Sequence, residues 1–179
     1  DELSDRLQKA ATLTELEDLY RPYRPKRRTR ATVAREKGLE PLALALLMQN
    51  ETKGTAQELA RPYVNPEKGV ETAEDALQGA RDILAEQMSD DADVRKSLRA
   101  LAMRTGVLES KNTGEEDSVY ATYYDFSQEA RNLPAHRVLA MNRGEREGFL
   151  KVSLRLSDAD CVGVLQKAFV RPGSVTTEQ

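Results

Sequence analysis

Apolar residues along this chain recur mostly at intervals of three and four, the spacing that lines one face of a helix. Residues 2–11 place Leu3, Leu7 and Ala10 on one stripe. Thr12-x-x-Glu15 reads as a capping box, in which a hydroxyl and a carboxylate satisfy the amides that a helix start leaves unbonded. The helix it opens carries Leu13, Leu16, Leu19 and Tyr20. Pro22 and Pro25 end that helix, because proline has no amide to donate and biases its predecessor away from helical angles. Thr29 or Thr32 opens the next, and Gly38 closes it at the position where a left-handed backbone is favoured. Pro41 then starts an Ala/Leu run through Met48 with the composition of a buried helix.

The second half follows the same grammar with one exception. Thr55-x-x-Glu58 caps a short turn, residues 61–69 form a loop, and Thr72 caps the clearest amphipathic segment. There Ala73, Ala76, Leu77, Ala80, Ile83, Leu84 and Met88 share a face. Residues 89–91 cap a further helix with the stripe Val94, Leu98, Leu101 and Ala102. KNTGEEDS, from Lys111, is a polar loop. Residues 119–126, VYATYYDF, suit a strand by composition and a helix by spacing. Pro134 starts a helix with His136, Leu139 and Met141, and Ser157-x-x-Asp160 caps the last, with Val162, Leu165 and Phe169. The exception is Leu150, Val152, Leu154 and Leu156, which alternate with polar residues at the period of a strand. Neither an internal repeat nor a coiled-coil heptad is present.

Composition fits this reading. Of 179 residues, 39% are hydrophobic and 32% charged, while aromatics make up 5% and Trp is absent. A core built on Leu, Ala, Val and Met favours helices over a sandwich or barrel. The expected fold is mainly α, a multi-helix orthogonal assembly with one short strand or small β element near the C-terminal end. A sub-boundary is expected near residues 110–118. Without an initiator Met, and with helix from the first residues, the chain is expected to be part of a larger protein.

Single copies of Cys161 and His136 exclude a disulfide framework and a Cys/His zinc cluster. No apolar run reaches membrane-spanning length and the N-terminus is not signal-like, so no membrane partner and a cytoplasmic setting are expected. Catalytic patterns are otherwise absent from the sequence. His136 lacks a Ser or Cys partner in a Gly-x-Ser-x-Gly turn, and reads as a capping or packing residue on a Pro-started helix. Cys161 reads as a small apolar residue of a helix. Glu74/Asp75 and Asp90/Asp91/Asp93 complement helix dipoles, and Glu115, Glu116 and Asp117 form a solvated run. No P-loop or Gly-x-Gly-x-x-Gly fingerprint is present. Gly144-x-x-x-Gly148 matches a membrane packing motif in pattern only, given Glu145 and Arg146. Arg137, Arg143 and Arg146, interleaved with Glu145 and Glu147, read as a salt-bridged helix end. No enzyme activity and no cofactor are expected.

The formal net charge of −3 hides an asymmetry. Arg21, Arg24, Lys26, Arg27, Arg28, Arg30, Arg35 and Lys37 crowd into residues 20–37 against the single acid Glu36, while acids gather at residues 71–75, 89–93 and 114–117. Two readings of this tract stay open. Arg21, Arg24, Lys26, Arg27, Arg28 and Arg30 are dense enough to meet several phosphates of RNA or DNA without sequence preference, and Tyr20 and Tyr23 offer stacking surfaces. Alternatively the guanidinium forks make intramolecular ion pairs and pin the connector across the helical body.

Within this tract, LEDLYRPYRPKRRTRATVAREKGLEPLA resembles the hallmark segment of the Tex family of bacterial transcription accessory proteins. LPAHRVLAMNRGEREGFLKVSL, residues 133–154, resembles that family's second recognisable stretch. The resemblance implies a large cytoplasmic protein with a helical N-terminal region, an RNase H-like domain, helix-hairpin-helix motifs and a C-terminal RNA-binding OB-fold. This chain would be part of the first. Nucleic acid, the transcription machinery and the remaining domains of the same protein are then the expected partners. Transfer of catalytic or binding residues is not implied. A purely structural or protein-docking module is the alternative.

Overall fold

A computed structural model describes residues 2–25, 27–114 and 118–177 of the chain. They form two compact units, Asp1–Arg95 with Leu165–Gln179, and Lys96–Val164. The fold is mainly helical with one small antiparallel sheet, as the hydrophobic spacing predicts.

The first unit contains α1 (Glu2–Lys9), α2 (Leu13–Tyr20), a 3-10 turn (Arg21–Tyr23), α3 (Arg30–Glu36), α4 (Glu40–Met48), α5 (Ala56–Ala60) and α6 (Ala73–Asp90). The expected threonine caps form, with Thr29 rather than Thr32 opening α3. The Thr12 hydroxyl accepts from the Glu15 amide, Thr29 from Thr32, Thr55 from Glu58 and Thr72 from Asp75. At Thr72 the exchange is reciprocal, since its amide donates to the Asp75 carboxylate at 2.9 Å and its hydroxyl at 2.8 Å. Those bonds hold the Asp75 carboxyl below its ordinary value of 3.8. The expected loop at residues 61–69 holds two further 3-10 turns, Arg61–Tyr63 and Pro66–Lys68.

Gly38 ends α3 at φ +88°. Its amide donates to Arg35 O and the Leu39 amide to Ala34 O, the paired bonds of a Schellman motif. Leu39 is thereby folded back into the core beside Ala34, where both are buried with Leu42, Leu46, Leu77 and Ile83. Gly79 on α6 makes the close approach possible: a Cβ there would lie 2.3 Å from Leu39 Cδ1 and 3.4 Å from Ala34 Cβ. The C-terminal segment returns to this unit. Gln49, at φ 51°, donates to Phe169 O and accepts from the Arg171 amide, each at 2.7 Å, and Thr176 is buried against Leu46 O.

The apolar residues read onto α2 do not form its inward face. Of Leu13, Leu16, Leu19 and Tyr20 only Leu19 is half-buried, while α2 buries Asp18 and leaves Leu13, Leu16 and Tyr20 exposed. Asp18 accepts from Arg95 Nε at 2.6 Å. An ion pair, rather than the leucine stripe, orients this helix.

α7 (Ala92–Thr105) opens at Asp91, whose carboxylate accepts from the Asp93 and Val94 amides. The second unit then carries β1 (Val107–Asn112), β2 (Asp125–Glu129), α8 (Ala135–Arg146), β3 (Leu150–Arg155) and the start of α9 (Asp158–Phe169). The predicted strand is β3. It pairs with β1, which pairs with β2, in the order β2-β1-β3. Lys111 and Asn112, read as loop, end β1, and the ambiguous residues 119–126 form a 3-10 turn (Ala121–Tyr123) leading into β2. Of that loop, Glu115, Glu116 and Asp117 lie outside the described residues.

Met141, Leu150 and Tyr120 form the buried centre of this unit, with Phe126, Phe149 and Val152 around it. Gly144 lets α8 sit close to the sheet, since a Cβ would meet Leu150 Cδ1 at 2.7 Å and Tyr120 Cδ1 at 3.1 Å. Gly148 closes α8 with a second Schellman motif, through its own bond to Glu145 O and that of Phe149 to Gly144 O. Edge strand β3 offers its Val152 amide to the Glu145 carboxylate at 3.0 Å.

Candidate nucleic-acid interface

The basic tract becomes a strap laid along α6. Pro22 lies in the 3-10 turn that follows α2, where a missing donor costs little, and Arg24 turns the chain to extended angles, φ −66° and ψ 137°. Thr29 then caps α3. Opposite the strap, α6 presents Asp82, Glu86 and Asp90, four residues apart and so on one face of the helix.

The strap meets each of these acids. Arg21 Nε donates to Asp90 at 2.9 Å. Glu86 accepts from Thr29 Oγ1 at 2.9 Å and from Arg35 at 2.7 Å. Arg30 Nε stands 3.7 Å from Asp82. The three carboxylates are half-buried to buried, which strengthens the attraction relative to open water. Spacing of four residues across Asp82, Glu86 and Asp90 was the available sequence signal for this ladder. A reading of α6 by its apolar face alone overlooks it.

The site residues expected from sequence therefore do not share one environment. Arg21 faces inward as an anchor, helped by Arg35, a residue of the tract that its charge pattern alone does not mark as a contact. Arg24 and Arg27 are exposed, and among the described residues neither has an ion-pair partner. Arg28 and Arg30 are paired but open: Arg28 reaches Glu36 at 2.8 Å with its side chain 70% exposed, and that of Arg30 is 87% exposed. Lys26 lies outside the described residues. Tyr20 and Tyr23 are both exposed. A cleft beside the strap is lined by Asp18, Tyr23, Arg24, Arg35, Glu86 and Asp90, mixing both signs of charge.

The other candidates form no comparable site. His136 is exposed in the first turn of α8, and Cys161 is half-buried in α9. Arg137 is structural, donating to Gln128 at 2.9 Å with its guanidinium 5.7 Å from the Phe126 ring centre. Glu147 accepts from the buried Tyr120 hydroxyl at 2.8 Å, and burial followed by this bond pushes that phenol above its ordinary value. The expected salt-bridged end of α8 is not what forms. Its two acids bond to Val152 and Tyr120, while Arg143 and Arg146 are exposed with no ion-pair partner among the described residues. Among those residues there is also no group of three His, Cys, Asp or Glu side chains placed to hold a metal, and no helix is long and apolar enough to cross a membrane.

A family model described as Tex central region-like matches residues 51–171. The chain belongs to the Tex family. Protein tex of Bordetella pertussis is 44% identical over 158 residues, which cover 87% of this chain and 20% of that protein. The transcriptional accessory protein Tex of Neisseria gonorrhoeae is 39% identical over 165 residues, covering 89% and 21%. The human S1 RNA-binding domain-containing protein 1 is 35% identical over 158 residues, covering 82% and 15%. This Tex-family chain thus spans about a fifth or less of the length of these relatives.

Proposed function

We propose that this chain is a non-catalytic region of a cytoplasmic transcription accessory protein, and that the outer face of its strap contacts RNA or DNA without sequence preference. Arg24, Arg27, Arg28 and Arg30 carry the contact, with Lys26 adding charge, while Arg21 and Arg35 hold the strap in place. The observation behind this reading is the exposure of Arg24 and Arg27, with no ion-pair partner among the described residues, on a segment anchored at both ends. A pre-anchored strap loses less conformational freedom when it meets a phosphate backbone. The names of the relatives, a transcriptional accessory protein and an S1 RNA-binding domain-containing protein, agree with a nucleic-acid setting. Binding of this kind weakens steeply with salt, by a log–log slope of about −0.9 per neutralised phosphate of a duplex. Titrating RNA and DNA with the double variant Arg24→Glu/Arg27→Glu at low salt tests it. Unaltered affinity, with the fold intact, overturns the proposal.

A second reading has its own support. The ladder of Asp82, Glu86 and Asp90 makes the strap a brace, as a scaffold that positions neighbouring domains requires. The two readings share only Arg30, which stands near Asp82 yet stays exposed, and they coexist in one segment.

A further inference from the structure

We propose that the outer face of α2 seats an amphipathic helix supplied by another part of the same polypeptide. α2 is inside out. Its inward side carries buried Asp18 and half-buried Glu15 and Leu19, whereas Leu13 is 71% exposed, Leu16 42% and Tyr20 52%. Tyr20 and Arg21 both keep right-handed helical angles, so the helix continues into the 3-10 turn and Tyr23, 60% exposed, extends the same line. At 100° per residue the four side chains fall within about 80° of arc. The spacing 13, 16, 20, 23 alternates three and four residues, the seam by which one helix receives another.

The occupant follows from size, charge and chain length. Four such side chains offer a few hundred Å², well below the roughly 800 Å² per partner of a stable complex between separate molecules. A patch this small holds a partner that is already tethered, because the tether raises its effective concentration to the millimolar range. The 158 residues matched in the Bordetella pertussis relative are 20% of that protein, so a Tex polypeptide has ample chain to supply the helix. Exposed Glu17 borders the stripe, which calls for a Lys or Arg beside the apolar face of the incoming helix. Leucines at two of the four positions favour a helix over stacked bases, which need flat aromatic or guanidinium surfaces. The inference is independent of the phosphate contact assigned to Arg24 and Arg27.

Cysteine footprinting decides it. In a Cys161→Ala background, Leu13→Cys and Leu16→Cys are labelled with iodoacetamide in the 179-residue chain and in the longer polypeptide that contains it. Labelling at least tenfold slower in the longer polypeptide is the expected result. Equal rates overturn the proposal. So does slow labelling of the 179-residue chain with sedimentation as a dimer, which would make a second copy the occupant, and so does protection that appears only on adding single-stranded RNA. As a control on folding, Leu13→Glu/Leu16→Glu leaves the Tm of the 179-residue chain unchanged and lowers that of the longer polypeptide by several degrees.

Discussion

Arg95 Nε donates to Asp18 Oδ1 at 2.6 Å, and this ion pair fixes which side of α2 faces inward. A carboxylate has taken the place that the leucine pattern reserves for apolar side chains. Removing one partner leaves the other charge with poorer company in a half-dry setting. Asp18→Ala is therefore expected to lower unfolding free energy by about 3 kcal/mol, read from urea denaturation. A change below about 0.5 kcal/mol would show that the leucine side chains, not the ion pair, choose the face.

The strap gives a contrast between inner and outer residues. Glu86→Ala strips acceptors from Thr29 and Arg35 together. It is expected to cost about 2 kcal/mol and to raise protease cleavage within residues 21–29. Arg24→Glu and Arg27→Glu, by comparison, leave Tm within a degree or so of the parent, because exposed arginines contribute little to stability.

Binding measurements separate those residues in the opposite direction. Arg24→Ala/Arg27→Ala is expected to flatten the plot of log affinity against log salt by about 1.8 for duplex DNA, if each arginine neutralises one phosphate. Arg21→Ala, an anchor, alters Tm first. A slope unchanged in the double variant would assign the outer arginines no phosphate.

Gly79 tests the packing of α3, α4 and α6. Alanine is ordinarily the better helix former, by about 1 kcal/mol. Here its Cβ would enter contact at 2.3 Å with Leu39 Cδ1, itself fully buried. Gly79→Ala is expected to destabilise by about 1–3 kcal/mol, measured by thermal or urea unfolding. A gain in stability would mean that Leu39 has an alternative rotamer.

The Thr72–Asp75 capping box supplies a pH signature. The folded-state pKa of Asp75 is depressed below 3.8, so the carboxylate favours folding above that value. Its contribution fades as pH falls through the lower folded pKa. Thr72→Ala is expected to lower Tm by a few degrees at neutral pH, with the gap to the parent narrowing below pH 3.8. A gap constant from neutral to strongly acid pH would contradict the linkage.

Legibility from sequence followed the locality of each cause. Threonine caps, the Gly38 stop and the apolar stripe of α6 depend on residues within one or two turns, and all are written plainly in the chain. β1 was not, because its fully buried side chain is Ser110, whose hydroxyl donates to Tyr123 O at 2.5 Å. A polar residue satisfied by a distant carbonyl breaks the alternation that marks a strand. The inverted face of α2 was hidden for the same reason, since Asp18 meets Arg95 only after folding. At the candidate interface the positive tract was evident at once, yet its division into anchors and outward residues required Asp82, Glu86 and Asp90 to be placed beside it.

Glu145 and Val152 are separated by a single turn of chain, and that closeness bears on the order of assembly. Short-range contacts form sooner than those that must close long loops. The carboxylate can therefore occupy the Val152 amide while β1, some forty positions earlier, is still finding its register. A nascent edge guarded by its own preceding helix offers one donor fewer to a neighbouring molecule. Protection against misassembly thus begins with the smallest helix–strand unit, before the sheet is complete.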